Sequence, residues 1–302
     1  MSMNRSQFAK QLEPGLNTVF GLEYKQYPEQ WRQIFEKESS QKAYEEDVLM
    51  EGFGAAPVKS EGGAVSYDNA AEAWTARYNH ETIALAFSIS EEAEEDGLYG
   101  SLSKKYAKAL ARSMQHTKEI KGANVLNNGF DSNYTGGDGV ELFSNAHPTR
   151  NGNQSNILAT AADLSETSLE QVLIQITELE DDRGIPIAAQ GTKLIIPTGE
   201  VFTAERLLSS NLRTSTADND INALKSGGFL PQGSSVNQRL TDADAWFVLT
   251  DCPDGLKHFE RRALKKGMEG DFETGNVRYK VSERYSFGWT DWRGAFGTPG
   301  AA

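Results

Sequence analysis

The chain has 302 residues, a formal net charge of −13 and a single cysteine, Cys252. That length supports one large or two modest domains with a sizeable core, and the acidic balance argues against a dedicated nucleic-acid-gripping module, although an acidic wall suits a container whose contents must not stick to it. One cysteine allows no disulfide within the chain and no cysteine zinc site, as expected of a protein assembled in a reducing cytoplasm.

Residues 1–50 are polar with scattered aromatics, Phe20, Tyr24, Tyr27, Trp31, Phe35 and Tyr44, and a helix is expected near Pro28–Lys37. Met1–Lys10 lacks the apolar core of a signal peptide, and no run of about 18 apolar residues predicts a membrane span. The segment has too few clustered aliphatics for a core of its own. It either covers its own domain or docks on a neighbour.

Residues 51–88 read as a long two-stranded excursion with a turn at Glu61, Gly62 and Gly63. Trp74, Ala76, Tyr78 and His80 alternate with Thr75, Arg77, Asn79 and Glu81, and the alternation resumes at Ile83, Leu85 and Phe87. Two strands alone are marginal in water, so the hairpin should rest on a partner.

From about Leu98 to Asn127 there is no proline, and Leu98, Leu102, Tyr106, Ala109, Leu110, Met114 and Ile120 recur mostly at helical spacing. Acids at Glu91–Asp96 precede this stretch and lysines run along it, which suits the helix dipole. A helix of this length is a rod of roughly 42–45 Å.

Residues 128–164 are loop-rich, with a short strand expected at Val140–Phe143. A second helix is expected at Ser168–Asp182, with Thr167–Glu170 as capping box, a stripe of Leu169, Val172, Leu173, Ile176 and Leu179, and a stop at Arg183–Pro186. A buried strand at Lys193–Pro197 and a helix at Gly199–Leu208 follow. Residues 209–240 read as a long exposed loop, unusual unless it has a job. The end is β-rich, at Ala245–Thr250, His258–Arg262, Phe272 and Val277–Phe287, and Gly297–Ala302 reads as a frayed tail.

Clustered reactive residues are not evident. His80, His116, His147 and His258 lie in four unlike segments without metal-ligand spacing. The phosphate loop, the nucleophile elbow and the dinucleotide fingerprint have no match. Cys252–Gly255 reads as a turn, and the acidic runs Glu91–Asp96 and Glu178–Asp182 read as solvated helix ends without calcium-loop spacing. No catalytic, cofactor-binding or metal residue is therefore assigned, and no cofactor is expected.

The order of segments resembles the major capsid protein of tailed bacteriophages, the Hong Kong 97 type, an α+β fold. Met50–Lys59 with Tyr67, Asp68 and Thr75–Tyr78, then Glu95–Gly100, Phe143–Pro148 and Trp289–Gly294, are similar to the Mu-like major head subunits. The resemblance implies an N-terminal arm at 1–50, an extended loop at 51–88, and a peripheral domain at 89–164 whose spine helix covers about 97–128. It further implies an axial domain at 165–255, with its loop near 209–240 toward the symmetry axis, and a return to the peripheral domain at 256–302. Such subunits self-assemble as hexamers and pentamers of an icosahedral shell around double-stranded DNA, in the virion, after assembly in the host bacterial cytoplasm, with a portal protein and without a membrane partner. Some relatives carry a cleavable N-terminal scaffold; the short segment before the hairpin implies a separate scaffolding protein, or none. In one capsid family a hairpin lysine forms an isopeptide bond; Lys59 is expected to be an ordinary solvated lysine. An encapsulin-like compartment shell and an enzyme with an unreadable site are the alternatives.

Overall fold

A computed structural model describes residues 6–90, 99–213, 220–270 and 276–301. Two four-stranded sheets organise them. The first has the order β1 (Glu36–Ser39), β10 (Leu256–Gly270), β11 (Val277–Trp289) and β4 (Glu81–Ile89). The second has the order β12 (Ala295–Thr298), β9 (Trp246–Thr250), β7 (Gly191–Ile196) and β8 (Ser234–Val236). Two small hairpins pair β2 (Tyr44–Met50) with β3 (Glu72–Asn79) and β5 (His147–Thr149) with β6 (Gly152–Gln154).

The first sheet is covered on one face by two helices, α1 (Ser6–Gln26) and α2 (Tyr99–Asn127). The period-two pattern of β11 turns Tyr279 and Val281 to these helices, where they meet Leu16 and Phe20 of α1 and Ala107, Leu110, Ala111 and Met114 of α2. The buried stripe of α2 is therefore narrower and made of smaller residues than the sequence suggests. Tyr106 and Ala109, expected to face inward, are exposed, because α1 and the sheet approach α2 closely where alanine leaves room.

The N-terminal segment departs most from expectation. The helix is α1, with Pro14 inside it, and Pro28–Lys37 instead forms a 3-10 turn at Gln30–Gln33 that runs into β1. Trp31, Ile34 and Phe35, at 2%, 7% and 4% exposure, enter the main core of their own subunit. Burial of three large side chains there is worth about 1.5–3 kcal/mol each. Residues 16–35 thus cover their own body.

The hairpin strands are β2 and β3, so pairing starts at Tyr44 and not after residue 50. The expected alternation of β3 holds: Ala76 and Tyr78 are buried, Trp74 is half-buried, and Thr75, Arg77 and Asn79 are exposed. The chain then changes sheet at His80, and β4 pairs antiparallel with β11. Sequence alternation continues across this switch, which is why the two strands read as one.

The second sheet forms the larger core with α3 (Glu166–Thr177) and α4 (Val201–Ser209). Leu169, Val172, Leu173, Ile176 and Leu179 are all buried there. The helix starts earlier than expected: Ser165 is the cap, and it exchanges hydrogen bonds with Ser168 in the capping box assigned by sequence to Thr167 and Glu170. It also ends at Thr177, before the Arg183–Pro186 stop. Val140–Phe143 is not a strand; Leu142 and Phe143 are buried without ladder pairing, and the local strands are β5 and β6. The 209–240 region contains a short helix α5 (Ala223–Gly227) and β8, and buries Leu224 and Leu230. The tail is not frayed through residue 300: β12 pairs with β9, Phe296 is buried, and the Ala301 amide donates to Asp163 at 2.8 Å.

Candidate assembly surfaces

Between β2 and β3, residues 51–71 contain no strand or helix. A turn at the tip forms where expected: Gly62 has φ +75°, a conformation suited to glycine, and the Gly63 amide donates to Ser60 O at 3.0 Å. Val58 is fully exposed and Tyr67 is 95% exposed, with Met50, Phe53 and Val65 also outward. Lys59 is exposed as well. Among the described residues this apolar surface has no partner within its own subunit.

The base of the segment, by contrast, is pinned. Arg183, in the turn after α3, reaches both carboxylate oxygens of Asp68 from Nη1, at 2.8 Å and 3.1 Å, and its Nη2 donates to the Asn69 carbonyl. Asp68 also accepts from the Gly54 amide at 2.7 Å. That amide bond, followed by the Arg183 guanidinium, holds the Asp68 carboxyl below its ordinary range. Asp181 shapes the turn that carries Arg183 by accepting from the amides of Arg183 and Ile185. The Glu178–Asp182 run is thus a turn builder in part: Leu179 is core, and buried Asp182 pairs with Arg293 at 2.9 Å, not a solvated helix end.

A second exposed apolar group lies around α4 and α5, where Phe202, Leu212, Ile221 and Phe229 face outward. Buried Asn222 fixes this region by donating to the carbonyls of Leu207 and Ser210 and accepting from the amides of Leu224 and Lys225.

The structure keeps the four histidines apart. His80 sits at the sheet switch between Ser40 and Ser286, at 2.9 Å and 3.0 Å, and burial lowers its pKa. His116 is exposed on α2. His147 is fully buried, 2.7 Å from Asp138 and stacked on Trp292. His258 lies among Trp31, Tyr285 and Phe287 without a hydrogen-bond partner, and burial pushes it down to about 3. Cys252 is half-buried beside a turn, and burial raises its thiol to about 11, the opposite of an activated nucleophile. Glu91–Asp96 and Phe272 lie outside the described residues. Among those described, no group of three or more His, Cys, Asp or Glu side chains is placed to hold a metal, and no helix is long and apolar enough to cross a membrane.

Sequence reasoning missed the polar groups that tie distant segments together. Glu119 on α2 accepts from the amides of Gln30 and Trp31. Lys118 pairs with Glu283 on β11 at 3.3 Å, with both side chains buried. The partners lie 88 to 165 positions apart, and no local pattern announces them.

Two α-helices on one sheet, a second sheet with its own helices and a long pinned excursion define a class of shell subunits, the Hong Kong 97-type capsid fold. The structure aligns with the capsid of an empty GTA particle (12% identity, 91% of this chain and 90% of that one, TM-score 0.56). It aligns also with the holo-SrpI encapsulin complex of Synechococcus elongatus (10%, 92% and 89%, TM-score 0.55) and with Mycobacterium phage Che8 (14%, 88% and 89%, TM-score 0.53). A model of the phage capsid protein family matches residues 72–297, and the chain belongs to that family. It is a capsid shell protein, a component of the virion built for assembly into an oligomeric shell. The family match favours the capsid reading over the encapsulin alternative, whose fold the chain shares. No curated protein matches the chain.

Proposed function

We propose that the subunit works by contact and not by catalysis, forming the pentamers and hexamers of an icosahedral shell that encloses double-stranded DNA. The observation that carries this reading is the 51–71 segment: its base is clamped by Arg183 and Asp68, while its apolar side chains project beyond anything the subunit can cover. Large exposed apolar side chains concentrated on a pinned excursion mark an interaction surface. The outward group of Phe202, Leu212, Ile221 and Phe229 supports a second contact, in the part of the chain proposed as the axial domain.

In this reading residues 1–50 are the arm, 51–88 the extended loop, 89–164 the peripheral domain with its spine helix, 165–255 the axial domain, and 256–302 the return. The arm is more strongly committed to its own subunit than an arm that only reaches across, since Leu16, Phe20, Trp31, Ile34 and Phe35 are buried at home. A separate scaffolding protein, a portal protein and packaged DNA are the proposed partners, no cofactor is required, and assembly takes place in the host bacterial cytoplasm. The wording of residues 50–59, 75–78 and 143–148 supports placement in the Mu-like branch.

Electron microscopy of the expressed protein, with and without a scaffold, tests the reading. Spherical shells or capsomer rings are expected, and a monodisperse monomer under all conditions would overturn it. Mass spectrometry of purified particles should show a subunit without a large N-terminal truncation.

A further inference from the structure

The face of the first sheet turned away from α1 and α2 is basic although the chain as a whole is acidic. Its floor is made of small side chains, Thr82, Ala84 and Ala86 of β4, Ser282 of β11 and Gly267 of β10. Its walls are Arg262, Lys265, Arg278 and Lys280. Together they enclose an open trough of about 1020 Å³. The register explains the arrangement: Lys265 lies beside Ser282, with Ala84 on the next strand, and Lys280 lies between Gly267 and Ala86, so these two lysines stand beside small neighbours, whereas Arg278 lies between Glu269 and Ser88. Strands about 4.8 Å apart and same-face residues about 7 Å apart along each strand set Arg278, Lys280 and Lys265 at the spacing of alternate side chains of an extended peptide, with Arg262 beyond the irregularity that separates it from Lys265. Among the described residues, Glu269 is the one acid lining the trough. Among the described residues, Arg262, Lys265 and Lys280 form no ion pair; Arg262 donates to Ser282 at 3.1 Å.

We infer that this trough docks an acidic segment of a second copy of the same chain. The inference rests on the shell-subunit reading, because assembly is what brings copies together. Charge complementarity selects the occupant: 43 acidic against 30 basic side chains leave every copy with an excess of carboxylates, and this face concentrates the cations that can receive them. A small-residue floor admits a backbone close to the sheet, while long basic walls reach carboxylates on either side of it. Because the cations are exposed, the contact weakens as salt rises.

Two measurements test the inference. In the first, the double variant Lys265→Glu/Lys280→Glu is compared with wild type in shell assembly followed by light scattering at low salt. Both positions are exposed, and an unchanged near-ultraviolet dichroism spectrum establishes that the variant folds. The concentration needed for assembly should rise at least tenfold in the variant, and wild-type assembly should weaken as sodium chloride rises. Wild type that forms shells beside a variant that assembles at the same concentration would overturn the inference and leave the shell reading standing; wild type that forms no shells would sink the shell reading itself. In the second, a photo-crosslinking amino acid replaces Ala84 in otherwise wild-type particles assembled from a mixture of isotopically light and heavy subunits. Hybrid light–heavy crosslinks to an acidic peptide of this chain are expected. Crosslinks to nucleic acid, to a different protein, only within one chain, or none at all would overturn the inference.

Discussion

Glu119 of α2 receives the backbone N–H of Trp31 at 3.0 Å, and its other carboxylate oxygen receives that of Gln30 at 2.9 Å. One buried side chain thereby fixes the point where the N-terminal segment leaves α1, passes the end of the helix pair and delivers Trp31 into the main core. Burial pushes the Glu119 carboxyl up to about 7, against the lowering effect of the two amide bonds. Its folded value lies above the ordinary carboxylate value, so the folded chain holds a proton that the unfolded chain has released. The resulting stabilisation is complete below about pH 4.5 and is lost as pH rises through about 7. Thermal melting of dissociated subunits across this range should show that decline, and Glu119→Gln should remove its share of it. Glu283, also raised by burial, contributes in the same direction, so the difference between wild type and variant is the readout. The variant should compare better with wild type at pH 8 than at pH 4, because the neutral amide escapes the cost of burying a charge, which outweighs the two N–H bonds the carboxylate receives.

Asn156 is the hub of the larger core. Its Nδ2 donates toward the carbonyls of Leu142, Trp292 and Ala295, and its Oδ1 receives the Ser144 amide and faces His147 Nε2 at 3.2 Å. Asn156→Ala leaves several buried groups unsatisfied at once, each costing about 1–3 kcal/mol. The expected total loss exceeds ~3 kcal/mol, read as a lower urea midpoint or as insoluble subunits; a loss under 1 kcal/mol would contradict the role given to this residue.

Arg293 offers a second buried test. It reaches Asp182 at 2.9 Å, the Glu180 carbonyl at 3.0 Å and Asp291 at 3.4 Å. Burial raises the Asp291 carboxyl, and the Arg293 charge opposes that rise. Arg293→Met strands two buried carboxyls, and removal of one partner from such a pair costs about 3–5 kcal/mol. The loss should be smaller in acid, where the stranded Asp291 carboxyl, already raised by burial, takes up a proton, and urea titrations at pH 4 and pH 7 compare the two.

Removal of residues 55–66 leaves the Gly54–Asp68 and Arg183–Asp68 contacts able to close the shortened loop. The subunit should keep its stability within about 1 kcal/mol, because a shorter loop changes closure entropy only slightly. It should nonetheless fail to form shells in electron micrographs. Normal shells from this variant would show that the segment is dispensable.

Much of this molecule is legible from local pattern. The turn at Gly62, the inward face of β3, the length of α2 and the stripe Leu169–Leu179 all follow from periods of two or 3.6 and from turn chemistry, because burial on one face imposes those periods. The order of unlike segments, by its resemblance to tailed-phage capsid subunits, pointed to a shell subunit. What the pattern could not reveal is which surfaces meet. The N-terminal segment looked short of a core because its core is borrowed: Leu16 and Phe20 pack on α2 and β11, and Trp31 joins residues more than ninety positions away. The continuous alternation through Trp74–Phe87 hid a change of sheet at His80, since a strand's period is the same whichever partner it takes. The basic trough arises only when β4, β10 and β11 align, for its four cations lie on two strands and its floor on three. Local sequence sets periodicity and caps; long-range register decides which faces are covered and which are left to a neighbour.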